Sequence, residues 1–232
     1  MLPGQNPSNS SQSTPTSPLH ILFIGNSLTF SNLGVYYHLK KLAESSSPAI
    51  SVEESHVVVP GATLLVLWAN SKAAEEIRSG RYDVVVLQET LPFTTAQDFR
   101  QSCNKFVSEI RNVHAKTVLF MAWSFQKVPN YSTTSTDDIA KAHYAVAKAL
   151  NIEVAPVALA WQQIAVQRPE LRLYSGDNIH PVDAGTYVAA CVCYCTIFNR
   201  SPVGNPYIGF VRQDIAEYLQ QVAWQTYNNQ PK

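Results

Sequence analysis

Neither sign of charge prevails in this sequence: 17 lysines and arginines face 17 aspartates and glutamates over 232 residues. A chain that binds nucleic acid through its phosphates needs a basic surplus, so nucleic acid is not an expected partner. No lysine- or arginine-rich run suggests a membrane surface. No apolar run approaches the ~20 residues needed to span a bilayer. Cysteine is scarce as well. Three of the four crowd into C-V-C-Y-C at 191–195. That stretch reads as a helix, which puts Cys191 and Cys195 on one face and Cys193 on another. Zinc sites space their paired cysteines more widely. Buried small side chains are therefore the expectation, with no disulfide framework. His20, His38, His56, His114 and His143 have no partners at ligand spacing, so no metal site is expected. No G-x-G-x-x-G or G-x-x-x-x-G-K-S/T follows a strand, which removes the usual nucleotide cradles. No cofactor is expected, and no internal repeat is visible.

What the sequence does have is length for one sizeable core, with 46% hydrophobic residues. Residues 1–18, MLPGQNPSNSSQSTPTSP, are Ser, Pro, Asn, Gln and Thr with almost nothing to bury. They read as a disordered tail or linker ahead of a single domain over 19–232. They lack the charged start and apolar stretch of a signal peptide. Such a tail also suits a secreted chain whose leader has been trimmed, so the compartment stays open.

Within 19–232, short apolar runs alternate with helical patterns. Strands are expected at HILFIG (20–25), ISVEESHVVV (50–59), YDVVVLQ (82–88), KTVLFMAW (116–123) and NIEVAPV (151–157). Helices are expected near 33–46, 64–79, 97–114, 137–150, 158–167, 182–199 and 211–227. In the last of these, Ile215, Leu219 and Val222 share a face. Val- and Ile-rich strands, each followed by a helix, predict a parallel sheet covered on both sides. The expected architecture is a three-layer α/β/α sandwich of about five strands, in the order 2-1-3-4-5. In open parallel sheets, sites form beyond the carboxyl ends of the strands.

The residues at those ends carry the chemistry. ILFIGNSLTF (21–30) runs from a buried strand straight into Gly25-Asn26-Ser27. Ser27 is expected just ahead of a helix beginning near Asn32 or Gly34, where free N–H groups favour developing negative charge. A serine in that position is commonly a helix N-cap. The second stretch, SGDNIHPVDAG, places Asp177 and His180 three residues apart on a loop. A serine hydroxyl needs a base to become nucleophilic. Histidine can take its proton near neutral pH. An acceptor on the other ring nitrogen holds the required tautomer. A strand-ending G-x-S together with D-x-x-H-P, in a chain of alternating strands and helices, is far more specific than either alone.

These blocks resemble the SGNH, or GDSL-type, hydrolase family. Gly25-Asn26-Ser27-Leu28 matches its G-D-S-L block with Asn in place of Asp. Gly61 in VVVPGATL matches the glycine of the second block. D-N-I-H-P with Gly185 matches the last. The resemblance spans residues 20 to 190 and implies a flavodoxin-like fold and an ester-hydrolysing site. In that site Ser27 is the nucleophile, His180 the base and then the acid, and Asp177 its orienter. Backbone N–H groups of Ser27 and Gly61 are expected to form the oxyanion hole, the plainer reading of Gly61 being a turn after Pro60. The third block departs from the pattern. Family members carry G-x-N-D, whose Asn donates to the oxyanion, whereas here the strand ends V-V-L-Q-E-T-L-P. Gln88 either takes over that donation or orders the loop. The branch with this variant is a divergent one.

Other residues near the strand ends have plainer readings beside the functional ones. Glu89 is expected to be a solvated or ion-paired loop residue rather than a second carboxylate of the site. Trp123 either walls an acyl pocket or packs the core. The polar stretch 124–138 is either a candidate lid or a surface loop away from the site. The expected function is a serine ester hydrolase of the carboxylesterase or acetylesterase type, working through an acyl-enzyme on a small-molecule ester such as an acylated sugar. The rivals are a carbohydrate-binding module without catalysis on the same scaffold, and an acyltransferase. Acyl length, alcohol and oligomeric state are not legible.

Overall fold

A computed structural model describes residues 17–126, 128 and 134–231. Its sheet is built from the apolar runs. β1 (Leu19–Gly25) and β3 (Val84–Glu89) are almost wholly buried, as strands covered on both faces must be. β2 (Val52–Val58), β4 (Lys116–Met121) and the short β5 (Glu153–Ala155) complete an all-parallel sheet in the order β2-β1-β3-β4-β5. β2 lies at an edge and carries Glu53, Glu54 and His56, charged or polar side chains of the kind that discourage edge pairing. The fifth strand is shorter than the 151–157 expected from its sequence, because Val157 already begins α7 (Val157–Gln167).

The period-2 alternation of the strands separates two cores. Ile21, Phe23, Val84, Val86, Val118 and Phe120 face one side, against α2 (Val35–Glu44), α7, α8 (Asp183–Phe198) and α9 (Gln213–Asn229). Leu22, Ile24, Val85, Leu87, Leu119 and Met121 face the other, against α3 (Leu64–Asn70), α4 (Ala73–Arg78), α5 (Ala96–Asn112) and α6 (Thr136–Leu150). The result is the α/β/α sandwich that the sequence pattern predicts. Helix α8 is buried all round from Ala184 to Thr196 and packs against α2, α7 and α9. Its apolar composition on every side is that of a helix with no solvent face. The four thiols, Cys103, Cys191, Cys193 and Cys195, are buried, and burial pushes each one's pKa up. None is poised as a nucleophile.

The expected helix 64–79 is two helices. Ser71 breaks it, with its Oγ turned back to the Leu67 carbonyl and also accepting from the Ala73 N–H at 3.1 Å. A short helix α1 (Ser27–Phe30), too brief to show a period, follows β1 directly. No described helix is long and apolar enough to cross a membrane. The N-terminal tail expected at 1–18 lies outside the described residues up to 16, as do residues 127 and 129–133 of the candidate lid.

Candidate active site

The turn after β1 is drawn tight by Gly25. A Cβ there would lie 2.5 Å from Thr29 Oγ1 and 2.7 Å from Gln88 Oε1, so no other residue lets β1, α1 and β3 approach this closely. Asn26 follows in an extended conformation and caps α1, accepting from the Leu28 N–H at 3.1 Å. The capping position thus belongs to Asn26 and not to Ser27, which is the first residue of α1 rather than a residue ahead of a later helix. With the cap supplied by its neighbour, the Ser27 hydroxyl is left for other work. Among the described residues no hydrogen bond occupies the Ser27 N–H.

The D-x-x-H segment forms a tight loop between α7 and α8. The Ser175 N–H donates to the His180 carbonyl at 2.8 Å, and the Val182 N–H to the Leu173 carbonyl at 2.8 Å. Inside the loop, Asp177 Oδ1 accepts from Ser175 Oγ (2.6 Å), Ile179 N (2.9 Å) and His180 N (3.0 Å). Its Oδ2 accepts from His180 Nδ1 at 2.6 Å. Partial burial works to raise the Asp177 pKa, but these four donors outweigh it and hold the carboxyl well below the usual range. With Nδ1–H given to a carboxylate, the lone pair of the imidazole is on Nε2. That atom lies 2.8 Å from Ser27 Oγ, across 153 residues of sequence. Around the loop, Trp123 Nε1 donates to the Ile179 carbonyl (2.9 Å) and the Tyr174 hydroxyl to the Ser124 carbonyl (2.6 Å). The Gln126 N–H donates to the Asn178 carbonyl at 3.1 Å. Trp123 also stacks on Trp161 at 3.8 Å and is fully buried, so it packs the core and braces the loop.

Gly61 has φ +67°, the left-handed region that glycine tolerates freely, and sits exposed on the loop after β2. No hydrogen bond occupies its N–H among the described residues. The loop is tied from both sides. Asn26 Nδ2 donates to the Ala62 carbonyl at 2.9 Å, and Glu89 Oε2 accepts from the Leu64 N–H at 3.0 Å.

Gln88 is placed beneath the serine turn rather than beside the hydroxyl. It is fully buried, and its Oε1 accepts from the Asn26 N–H (2.9 Å) and the Thr29 hydroxyl (3.0 Å). Its Nε2 donates to Thr90 Oγ1 at 2.9 Å. Both ends of the amide are thereby used inside the fold. Glu89 departs from the sequence expectation: it is 1% exposed, not solvated. Its two oxygens accept the Leu64 and Thr90 N–H groups, and burial pushes its pKa up to about 7. The sequence pattern ends this strand at Gln88, and the ladder pairing of Glu89 with Met121 carries β3 one residue further.

Chemically, the arrangement is a hydroxyl, an imidazole and a carboxylate in a continuous hydrogen-bonded line. Two unoccupied backbone N–H groups belong to the same turn and to the loop tied to it. No cluster of three or more His, Cys, Asp or Glu suited to a metal ion occurs among the described residues.

Solved structures share this architecture. A DUF4886 family protein from Bacteroides uniformis superposes with a TM-score of 0.75 over 91% of this chain and 95% of its own, at 16% identity. A protein from Slackia heliotrinireducens, provisionally described as an SGNH hydrolase, matches at 0.64 over 78% of this chain and 99% of its own, at 24% identity. The chain has the SGNH hydrolase fold. An acetylxylan esterase from Geobacillus stearothermophilus, solved as a catalytic serine-to-alanine mutant, shares that fold at 0.61 over 75% of this chain and 92% of its own, at 17% identity. No protein-family model matches the sequence, and no curated protein does.

Proposed function

We propose that this protein is a serine esterase in which Ser27 is the nucleophile, His180 the general base and acid, and Asp177 the residue that orients His180. The observation that carries the reading is the line from Ser27 Oγ to His180 Nε2 at 2.8 Å and from His180 Nδ1 to Asp177 Oδ2 at 2.6 Å. Ser27 Oγ attacks the ester carbonyl as its proton passes to Nε2. The carbonyl oxygen becomes an oxyanion, held by the Ser27 and Gly61 N–H groups, whose preorganisation needs no rearrangement during the reaction. The C–O bond to the alcohol then breaks as Nε2 returns the proton to the leaving oxygen. Water repeats the sequence on the acyl-enzyme, giving up its proton to Nε2 and releasing the acid and free Ser27.

With Gln88 engaged in the turn, the oxyanion rests on two backbone donors, without the side-chain amide of the family pattern. The fold shared with acetylxylan esterases makes an acetylated sugar the substrate class to test first. In the Ser27→Ala variant, p-nitrophenyl acetate turnover should fall to background while the unfolding midpoint stays near wild type, because the hydroxyl is only half-buried. His180→Ala should lose about as much, and the double variant no more than either, since triad residues act as a unit. Turnover within about tenfold of wild type in Ser27→Ala would remove Ser27 from the role.

A further inference from the structure

The two halves of the site come from opposite ends of the chain, and something must hold them in register. Ser27 sits on α1, which ends one turn later at Ser31-Asn32. There the Ser31 hydroxyl and N–H both donate to the Ser27 carbonyl, at 2.6 and 3.0 Å. Asn32 then turns its side chain across the gap. Its Nδ2 donates to the Pro181 carbonyl at 3.0 Å and to Thr186 Oγ1 at 2.9 Å. Pro181 is bonded directly to His180, and Thr186 lies in the first turn of α8. Among the described residues, these two bonds and the Ser27–His180 contact are the only hydrogen bonds between the stretches 25–34 and 171–186.

The geometry points to Asn32 as a positioning residue that sets the distance between Ser27 and His180. Its own backbone is fixed from behind. His38, fully buried, donates Nε2–H to the Asn32 carbonyl at 2.9 Å, and its Nδ1 accepts from the Tyr207 hydroxyl at 2.8 Å. Asn32 has φ +53° and is followed by Leu33 at +68° and Gly34 at +89°. Three successive left-handed residues persist only where the surroundings over-determine them. Asn is among the few side chains that adopt this region readily. It is also short enough to reach the carbonyl beside His180 with both amide hydrogens used. The inference rests on the proposed roles of Ser27 and His180, but the distance it concerns is measurable without activity.

Two variants test it. Asn32→Gly keeps the left-handed backbone accessible and deletes the amide. Asn32→Asp keeps the shape and sets a carboxylate oxygen against the Pro181 carbonyl. Displacing a reacting group by about 1 Å can cost about a hundredfold in rate. Both variants should therefore lose about 10- to 100-fold in kcat on p-nitrophenyl acetate with KM changed less than about threefold. Crystal structures of both should show Ser27 Oγ and His180 Nε2 separated beyond hydrogen-bond reach, with the rest of the fold in place. A kcat within about threefold of wild type, or a Ser27–His180 distance still near 2.8 Å, would overturn the role. Should the wild type prove inactive on every ester tried, the esterase reading fails, and the distance in the variants still decides the clamp. If Asn32→Gly does not fold, Asn32→Asp and a Thr186→Val variant, which removes one of the two acceptors and should give a smaller separation and a smaller kcat loss, carry the test.

Discussion

Glu89 offers a prediction whose size follows from its surroundings. It is buried at the end of β3, and burial, aided by the charge of Asp98, lifts its pKa from the ordinary 4.5 to about 7 against the pull of the Thr90 and Leu64 N–H groups. A carboxyl that binds its proton more tightly in the folded state stabilises that state at low pH. The contribution is complete below 4.5 and is lost as pH rises through 7. At about 1.4 kcal/mol per pH unit of displacement, it amounts to roughly 3 kcal/mol. His143 runs the other way. Burial lowers its pKa from 6.5 to about 4, so its contribution is complete above 6.5 and is lost as pH falls through 4. His38, also lowered chiefly by burial, adds to that second sense. The two slopes oppose each other over the same window and partly hide one another in the wild type. Glu89→Gln should unmask the histidines. Its stability relative to wild type should improve by roughly 3 kcal/mol between pH 4.5 and 7.5. His143→Leu should move the opposite way over the same range. Urea unfolding followed by tryptophan fluorescence at several pH values measures both. A Glu89→Gln difference that stays constant within about 0.5 kcal/mol across the range would refute the buried-carboxyl argument.

Asp177→Asn keeps the shape of the loop but lets His180 present the wrong tautomer, so kcat should fall about 10⁴-fold with little change in KM, measured on p-nitrophenyl acetate. Gln88→Leu strands the buried Asn26 N–H and Thr29 hydroxyl, each costing about 1–3 kcal/mol. The unfolding midpoint should drop clearly while kcat per folded molecule stays within about tenfold of wild type. A kcat loss of about 10²–10³ with stability unchanged would instead make Gln88 an oxyanion donor.

Much of the architecture was legible because strands buried on both faces must be apolar throughout. The runs ILFIG, VVVLQ and TVLFM could hardly be anything else, and the alternation with helices left little freedom in strand order. The site residues were legible as chemical types at strand ends: Ser27 after β1, and Asp177 with His180 on a turn. What was hidden depends on contacts between distant segments. Nothing local announces that Asn26 caps a four-residue helix and frees Ser27 from that duty. Gln88 offers a donor by composition, and only the fold shows both ends of its amide spent on Asn26, Thr29 and Thr90. Glu89 looks solvated because charged residues usually are, yet the Leu64 and Thr90 N–H groups meet it inside. Asn32 carries no periodic or motif signal, since its partners lie some 150 residues away.

Fluorophosphonate labelling reads the nucleophile directly, because the reagent forms a stable adduct only with a serine whose proton is being withdrawn. Intact mass and peptide mapping of the wild-type protein should show one adduct per chain, on Ser27, and none in Ser27→Ala or His180→Ala. An unlabelled wild type, or an adduct on any other residue, would contradict the assignment of Ser27 and His180 as a working pair.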